Sequence, residues 1–580
     1  MLSGLGTWSC RHLARGYPWP VDPSDDLGQA LAFLESDLTP ETVTRAGYVT
    51  AALGAVLVAV AGAAPGLDPA SVPVVALAVG LAVAHAVHSI PVWLASVRQT
   101  AALGDAPDLV GRAVLRMHIE PTAEGAAAFA AETDDGPLAA SLSRHVRRAS
   151  GTPETGFGSF VAAWHDAFPA LRRALHLVEA AADAPAGERV RTLDRAMTAV
   201  LRGTRDRLAT FAATVQGPVT AIYAFGVLLP LALVAVLPAA RVAGIPVTLG
   251  ALVVVYDGLL PVGLVVVSAW LFTRRPVAFP PPAVTREHPD VPDRPWRALA
   301  AGGVTLTVAV VAVPLLAPDW LVPLVAPALA AGVALSVWYR PVSTVRDHAK
   351  AVEANLVDAL YLVGRRVAEG EAVEAALDHA ASEVAGETGA VLTDACRRQR
   401  QLRVGVREAF LGEHGALATV PSPRARSTAA LLGLAADEGA PAGRALVSMA
   451  DHLEDLQALE RECQHDLARV TGTLRSTATT FGPLVAGATV ALADGMQLDG
   501  GTGSLTGSDP AAATAPPLAT ADLGLAVGAY VLVLAVVLTV LATGLQHGLD
   551  RSLLGVRVGR ALPTAALVYL GAFLAAGAVV

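Results

Sequence analysis

Residues 214–223 read TVQGPVTAIY, where a long polar segment gives way to a long apolar one. A second border of this kind, TTFGPLVAGA, stands at residues 479–488. Proline donates no backbone hydrogen bond and crowds the preceding turn, while glycine tolerates many dihedral angles, so each pair either starts a helix or kinks one. The residues predicted to act as hinges are Gly217, Pro218, Gly482 and Pro483. The alternative is that each pair only starts a membrane helix.

Apolar stretches dominate the rest of the chain. Of its 580 residues 53% are hydrophobic and 16% are charged, with a mean hydropathy of +0.51, which is too apolar for a water-soluble protein of several domains. Apolar runs of about 18 or more residues are candidate membrane helices. We therefore predict an all-α, polytopic membrane protein with about nine transmembrane helices, at residues 46–64, 72–94, 218–238, 245–272, 298–317, 321–338, 476–493, 523–545 and 561–580.

The distribution of arginine predicts the orientation of these helices. The first 45 residues do not resemble a secretory signal peptide, so we expect the N-terminus to stay in the cytoplasm. Loops rich in Arg and Lys tend to be cytoplasmic, which assigns the linker 273–297 and the loop before the last helix to that side. Residues 494–522 contain no basic residue and are rich in Gly, Ser and Thr, so we expect them, and the C-terminus, to be external.

These assignments predict a multi-pass protein of the cell membrane with two long cytoplasmic segments. The predicted parts are a cytoplasmic N-terminal segment 1–45, a transmembrane hairpin 46–94, a first cytoplasmic helical domain 95–216, four transmembrane helices in 217–338 around the linker 273–297, a second cytoplasmic helical domain 339–475, and three transmembrane helices in 476–580 around the external loop 494–522.

The two cytoplasmic segments are predicted to be copies of one unit. At an offset of 250, DLVGRAVLRMHIEPTAEGAAAFAA from Asp108 matches DALYLVGRRVAEGEAVEAALDHAA from Asp358. A second match pairs GTRDRLATFAATVQGP from Gly203 with GTLRSTATTFGP from Gly472. Both copies are predicted to be helical bundles, because apolar residues recur at steps of three and four, as in one stripe from Leu453 to Leu474.

The second copy resembles a known family. Its segment VEANLVDALYLVGRRVAEGEAVEAALDHAA, the long helix MADHLEDLQALERECQHDLARV and the Gly-Pro entry into the membrane are similar to the F domain of type II secretion and type IV pilus platform proteins. Paired copies with additional membrane helices resemble the archaeal branch, which includes archaellum platforms. The resemblance covers most of the chain from about residue 95, although the first copy lacks a counterpart of Gly370.

The resemblance implies a non-enzymatic membrane platform for pilus assembly or protein secretion. Its expected partners are a cytoplasmic hexameric secretion ATPase, pilin-like subunits and membrane lipid, in a homodimer or higher oligomer. No cofactor, metal or catalytic residue is predicted. Lys350 is the only lysine and does not belong to a phosphate-binding loop. Because all other fixed cations are Arg and the net charge is −9, the composition indicates an Arg-biased genome and an acidic, halophilic proteome. The resemblance implies an archaeal source.

Three groups of polar residues are candidates for a further role. His85 and His88 share a helix face, which favours hydrogen bonding between helices over a metal site because no carboxylate or cysteine is near. Asp257 is an ionisable residue in mid-membrane, a position that is functional by default. Since Gly258 and Pro261 follow it, we favour the interpretation that it caps a helix break.

Arginines at helical spacing form the third group. They are Arg397, Arg400, Arg403 and Arg407, with Arg398 beside them. They predict a docking site for the acidic surface of a partner, tentatively the ATPase, and the alternative is a solvated helix face. Nucleic acid is not an expected partner, because the chain is acidic and no aromatic residues are interleaved with the arginines.

A secondary transporter is the alternative function, since internal repeats are common in that class. A transporter is expected to carry paired charges and broken helices at the bilayer midplane. Here the repeat lies mainly in the polar segments, which favours the platform.

Overall fold

The computed structural model describes most of the chain. The described residues are 4–34, 36–62, 72–132, 136–152, 155–164, 168–242, 248–275, 284, 286, 288–292, 294–500 and 519–579. Of these described residues 86% are helical, and none of them lies in a strand.

The fold is all-α and polytopic, as predicted. Within the described ranges eight helices are long and apolar enough to cross a membrane, and they coincide with eight of the nine predicted runs. The remaining run, 46–64, lies on a helix that is not among the eight, and its last two residues fall outside the described ranges. The coordinates divide into two compact units, Met1–Ala102 with Thr273–Arg275, and Leu103–Phe272 with Pro276–Val580.

The first unit is a small helical assembly. Its helices are α1 (Gly4–Ala14), α2 (Asp25–Phe33), α3 (Pro40–Gly62) and nearly all of α4 (Val72–Gly104). Leu27, Leu31, Leu38 and Val43 are buried together in its core. Ser24 caps α2 by accepting a hydrogen bond from the backbone N–H of Leu27.

The second unit begins with a bundle of six helices, which we call the first bundle. They are α5 (Ala106–Ile119), α6 (Ala123–Glu132), α7 (Pro137–Ala149), α8 (Phe157–Trp164), α9 (Pro169–Ala182) and α10 (Ala186–Tyr223). Apolar helices follow, namely α11 (Leu229–Val242), α12 (Leu249–Val253), α13 (Leu260–Arg274), α14 (Pro295–Leu316) and α15 (Val322–Glu353), with a short 3₁₀ turn at Asp319–Leu321.

A second bundle of six helices comes next, and three apolar helices complete the described chain. The second bundle consists of α16 (Leu356–Ala368), α17 (Val373–Glu383), α18 (Gly386–Leu402), α19 (Val406–Leu411), α20 (Pro423–Glu438) and α21 (Ala440–Ser476). The final helices are α22 (Gly482–Gly500), α23 (Thr520–His547) and α24 (Arg551–Gly577). Three π-helical segments interrupt the α pattern, at Ala224–Leu228, Val254–Leu259 and Thr477–Phe481.

The two bundles confirm the predicted repeat. In both, five short helices precede one long helix of 38 or 37 residues, and a five-residue π segment follows. Asp108 and Asp358 are each the third residue of the first helix, and Glu124 and Glu374 are each the second residue of the next. The match at an offset of 250 therefore reflects the same helix positions.

The second sequence match is wrong. Gly203 lies near the middle of α10, whereas Gly472 lies close to the end of α21, so the two residues occupy different positions. The turn after the first helix also differs between the copies, as the missing glycine indicated. Gly370 has a φ of +97°, which favours glycine, while the first copy leaves α5 through Glu120 in an extended conformation.

The apolar stripe predicted on α21 is buried. Leu453, Leu456, Leu459, Leu467 and Leu474 are each 8% exposed or less. Near the membrane helices the stripe joins a large core that also contains residues of α10, α23 and α24. The predicted loop 494–522 starts later than expected, because α22 continues to Gly500, and residues 501–518 lie outside the described ranges.

Candidate functional site

The two long helices connect the bundles to the membrane helices without a loop. One helical run extends over Ala186–Val234 and the other over Ala442–Gly495, each with an apolar end that meets the criteria for a membrane span. At 1.5 Å per residue these runs are about 75–80 Å long. Since the hydrocarbon core of a bilayer is about 30 Å thick, more than half of each run lies outside it.

The long helices α10 and α21 contact each other and also share a neighbour. Arg205 on α10 donates a 2.6 Å hydrogen bond to Glu462 on α21, which forms an ion pair between the two copies. Helix α5 of the first bundle packs against both, and a Cβ placed on Gly111 would lie 3.7 Å from the methyl carbons of Met197 and Met449. The bundles therefore meet along the helices that continue into the membrane.

All three π segments stand in the same position relative to a proline. The segments end at Leu228, Leu259 and Phe481, and in each case the second residue after the segment is a proline, namely Pro230, Pro261 or Pro483. The residue just before each proline donates its N–H to a carbonyl five residues back, from Leu229 to Ala224, from Leu260 to Val255 and from Gly482 to Thr477.

The chemistry of proline explains this arrangement. A proline inside a helix has no N–H for the carbonyl four residues back, and its ring crowds that carbonyl. Widening the preceding turn to i→i−5 hydrogen bonds relieves the crowding without ending the helix. The long helices thus pass into the membrane segments with one locally widened turn each, and α12 and α13 are joined in the same way.

Two buried tyrosines bind carbonyls at the first of these turns. Pro230 has no N–H to donate to the carbonyl of Gly226, four residues back. The hydroxyl of Tyr530 on α23 donates a hydrogen bond to this carbonyl instead. Tyr256, in the second π segment, donates a 2.6 Å hydrogen bond to the carbonyl of Pro230. The two rings meet edge to face, with centroids 5.5 Å apart. The first widened turn is therefore held by side chains from two other membrane helices.

The structure places the two predicted Gly-Pro hinges differently. Gly217 and Pro218 lie inside α10, so this pair does not start a helix, and that alternative is wrong. Gly482 and Pro483 start α22 directly after a π segment. By position, the counterpart of Pro483 in the first copy is Pro230, which the sequence reasoning missed. The hinge role itself stays a prediction.

Asp257 does not cap a helix end, because the chain remains helical from Leu249 to Arg274. It lies in the second π segment, four residues before Pro261. Its Oδ1 atom is buried and has no hydrogen-bond partner among the described residues. The capping interpretation is therefore wrong, and the carboxyl is a polar group inside an apolar segment.

The two histidines of the first unit have hydroxyl neighbours. The Nε2 atom of His88 lies 3.0 Å from the Oγ of Ser24, which ties α4 to the start of α2. The Nε2 atom of His85 lies 3.3 Å from the Oγ of Ser89 on the same helix. The His88 contact agrees with the interpretation of hydrogen bonding between helices, whereas the His85 contact stays within α4. Across the described ranges, His, Cys, Asp and Glu nowhere form a group of three that could hold a metal ion.

The four arginines predicted as a docking surface do not lie on one helix. Arg397 and Arg400 belong to α18, which ends at Leu402. Arg403 follows in a left-handed conformation with a φ of +55°, and Arg407 belongs to α19. The single helical stripe is therefore wrong, because the chain turns between its two halves. All four side chains are exposed.

Carboxylates of the bundle neutralise only the α18 half. Arg397 and Arg398 both pair with Asp394, and Arg400 pairs with Asp378 at 2.6 Å. Burial alone would raise the pKa of Asp394, but hydrogen bonds from the two arginines outweigh it and lower that pKa below its usual range. Arg403 and Arg407 have no ion-pair partner in the described ranges, and their side chains are exposed to solvent.

One feature of the sequence could have indicated the widened turns. Each of the three prolines involved follows a Leu or Gly inside an apolar run. However, Pro314 and Pro327 lie inside α14 and α15 without a π segment, so the proline alone does not predict one.

No protein-family model, curated protein or solved structure matches the chain.

Proposed function

We propose that the chain is the integral membrane platform of an archaeal type IV pilus-like or type II secretion-like machine. In this role it couples a cytoplasmic secretion ATPase to the assembly of pilin-like subunits. The observation that carries the proposal is the pair of bundles whose long helices run on into membrane segments. A force applied to a bundle reaches the membrane through one continuous helix, and a widened turn is the place where that helix can bend.

The surface proposed for the ATPase is the exposed pair Arg403 and Arg407. Their charges are not neutralised by carboxylates of the described residues, unlike those of Arg397 and Arg400. An acidic surface of the ATPase would therefore interact with the first pair and compete with Asp394 and Asp378 for the second.

The test is binding of the purified ATPase to the full-length protein in lipid nanodiscs. We expect Arg403→Glu with Arg407→Glu to weaken binding at least tenfold, and the matched pair Arg397→Glu with Arg400→Glu to weaken it less. Exposed charges are screened over about 10 Å at 0.1 M salt, so the salt concentration must be the same in all samples. Equal affinity of the wild-type protein and the Arg403/Arg407 variant would move the docking surface elsewhere.

A secondary transporter remains the second candidate function because of one observation. The buried, unpartnered Oδ1 of Asp257 lies inside a candidate membrane span, where ionisable residues mark ion pathways in transporters. Proton-coupled uptake into vesicles that depends on Asp257 would favour the transporter. Filament loss in cells that lack the protein, with unchanged uptake, would favour the platform.

A further inference from the structure

Three arginines form a cluster where the second long helix meets the last two membrane helices. Arg475 is the penultimate residue of α21, and Arg557 and Arg560 lie one turn apart on α24. Arg557 is close enough to the other two for their like charges to act on it. We call these three residues the arginine cluster.

Two members of the arginine cluster, Arg475 and Arg557, converge on a neutral side chain rather than on a carboxylate. Arg475 donates a 3.1 Å hydrogen bond to the amide oxygen of Gln546, and Arg557 donates a 3.4 Å hydrogen bond to the same oxygen. None of the three arginines forms an ion pair within the described residues. Asp550, the carboxylate nearest in sequence, is engaged by Arg346, Ser552 and the N–H of Leu553.

This arrangement leaves concentrated positive charge at one place. Guanidinium groups that face each other without a counter-charge repel, and partial burial of Arg557 increases the repulsion by excluding water. An anion that accepts several N–H donors at once would remove it. A phosphate group suits this task, because its oxygens accept paired hydrogen bonds from the planar fork of arginine.

The position of the arginine cluster indicates where such a phosphate would come from. Arg475 lies two residues before the π segment that leads into α22, Gln546 lies in the last turn of α23, and Arg557 precedes the apolar part of α24. Gln546 and Arg557 thus lie near the ends of two candidate membrane spans, and Arg475 lies where the polar part of the span Ala442–Gly495 gives way to its apolar part. Basic side chains at this level of a membrane protein meet the headgroups of the lipid leaflet.

We propose that the arginine cluster with Gln546 is a binding site for the phosphate of an anionic lipid headgroup. The bound lipid would neutralise the three guanidinium groups and fix the end of α21 against α23 and α24. The site is independent of the proposed platform function, since it needs only a membrane and the described side chains.

The experiment uses the full chain purified in detergent and titrated with phosphatidylglycerol or with phosphatidylcholine. Native mass spectrometry counts the bound lipids, and the midpoint of thermal unfolding reports stabilisation. We expect phosphatidylglycerol to bind and raise the midpoint more than phosphatidylcholine does. Removal of one arginine by Arg475→Gln or Arg557→Gln should weaken phosphatidylglycerol binding about fivefold, as expected for a single basic residue at a membrane surface.

One further cluster variant and one control variant distinguish binding at this site from general attraction of the lipid to basic residues near the membrane. Arg560→Gln alters an exposed member of the cluster and should also weaken binding, without the risk of disturbing the core. Arg297→Gln removes an arginine near the start of α14, which lies outside the cluster, and should leave binding unchanged. Equal binding by the cluster variants and by Arg297→Gln would overturn the proposal.

Two further outcomes would also overturn it. If inorganic phosphate at millimolar concentration protected the protein as well as phosphatidylglycerol did, the site would be one for a free anion. If the purified ATPase bound less tightly to the cluster variants while lipid binding stayed the same, the arginine cluster would be a protein-docking surface. Retained lipid discrimination in the presence of phosphate would support the proposal.

Discussion

At a widened turn, a single side-chain hydrogen bond should contribute more to stability than usual. It reaches a backbone carbonyl that the proline four residues later cannot bind, because proline has no N–H. The hydroxyl of Tyr530 binds the carbonyl of Gly226, to which Pro230 cannot donate. Tyr569 makes a superficially similar bond of 2.9 Å to the carbonyl of Gly524. That carbonyl lies near the start of a regular helix, where the N–H four residues on also reaches it. The two tyrosines thus form a matched pair for experiment.

We expect Tyr530→Phe to lower the free energy of unfolding by about 1–3 kcal/mol, because it leaves a buried carbonyl short of a donor. Tyr569→Phe should cost about 0.6 kcal/mol, the average for a side-chain hydrogen bond in a membrane protein. Denaturant unfolding in mixed micelles measures both. Equal losses for the two variants would show that the widened turn places no special demand on Tyr530.

A second prediction at the residue scale concerns Asp550. Burial raises its pKa, but hydrogen bonds from Ser552, Leu553 and Arg346 outweigh burial, so that the pKa lies below its usual value. A lowered pKa stabilises the folded protein above the unfolded-state value of about 3.9, and this stabilisation is lost as the pH falls through the folded-state value. The thermal midpoint of the wild-type protein should therefore fall as the pH is lowered from about 5 to below the unfolded-state value of about 3.9.

Asp550→Asn provides the control for this pH dependence. At neutral pH the variant should be less stable by about 3–5 kcal/mol, because Arg346 is only 2% exposed and would lose its charged partner. Its midpoint should also change less than that of the wild-type protein over the acid range. An unchanged pH profile would mean that other carboxylates cause the acid sensitivity.

At the scale of helices, the sequence predicts the α pattern well and its interruptions poorly. The stripe from Leu453 to Leu474 follows from hydrophobic burial alone, and the structure confirms it. The turn at Arg403 and the widened turns were not predicted, because each depends on neighbouring elements. A proline can be accommodated by widening a turn or by a regular helix, and packing against other helices decides between them, as the contrast of Pro230 with Pro314 illustrates.

Proline replacements test whether the widened turn serves assembly. Pro483→Ala restores an N–H donor four residues after the Thr479 carbonyl, so the turn should become α-helical and the protein should unfold at a higher temperature. We expect filament assembly to be lost all the same, because the long helix can then bend less. Pro218→Ala is the control, since the turns before Pro218 in α10 are regular α-helix with no π segment.

Replacing both Gly482 and Pro483 is a related test, but its result is harder to interpret than that of Pro483→Ala. Ala-Ala in place of Gly482 and Pro483 should also leave the protein inserted and abolish filaments. However, a Cβ on Gly482 would lie 3.1 Å from the Thr477 carbonyl, so the glycine contributes a packing effect of its own. Normal filaments in cells with Pro483→Ala would mean that the widened turn at this proline affects helix packing and is not needed for filament assembly.

For the whole molecule, the repeat of six helices and the continuous entry of the long helices into the membrane are the features on which the proposed function rests. The offset of 250 predicted the repeat, because the matching residues occupy the same helix positions. The contact between the bundles could not be predicted from the sequence, because nothing in the sequence distinguishes Arg205 and Glu462 from other exposed charged residues. Their pairing is weak as a stabilising interaction but marks where the two long helices meet.

The predicted topology can be tested by labelling. A cysteine at Ser508, in the predicted external loop, should react with a membrane-impermeant reagent added to intact cells, whereas one at Ser382 in the second bundle should not. The predicted topology puts the arginine-rich loops on the opposite side of the membrane from this loop, which gives the expected direction. The reverse pattern would place the bundles outside the cell, where a cytoplasmic ATPase could not bind them.

If the proposed platform transmits force through its long helices, α10 and α21 must move relative to each other. The direct test is a reversible cross-link between cysteines at positions 205 and 462, in a chain whose native Cys10, Cys396 and Cys463 are replaced by Ala. After treatment with a disulfide-forming bifunctional reagent, filament assembly should stop, and reduction should restore it. Filament growth at the normal rate, with the cross-link complete on a denaturing gel, would contradict the claim.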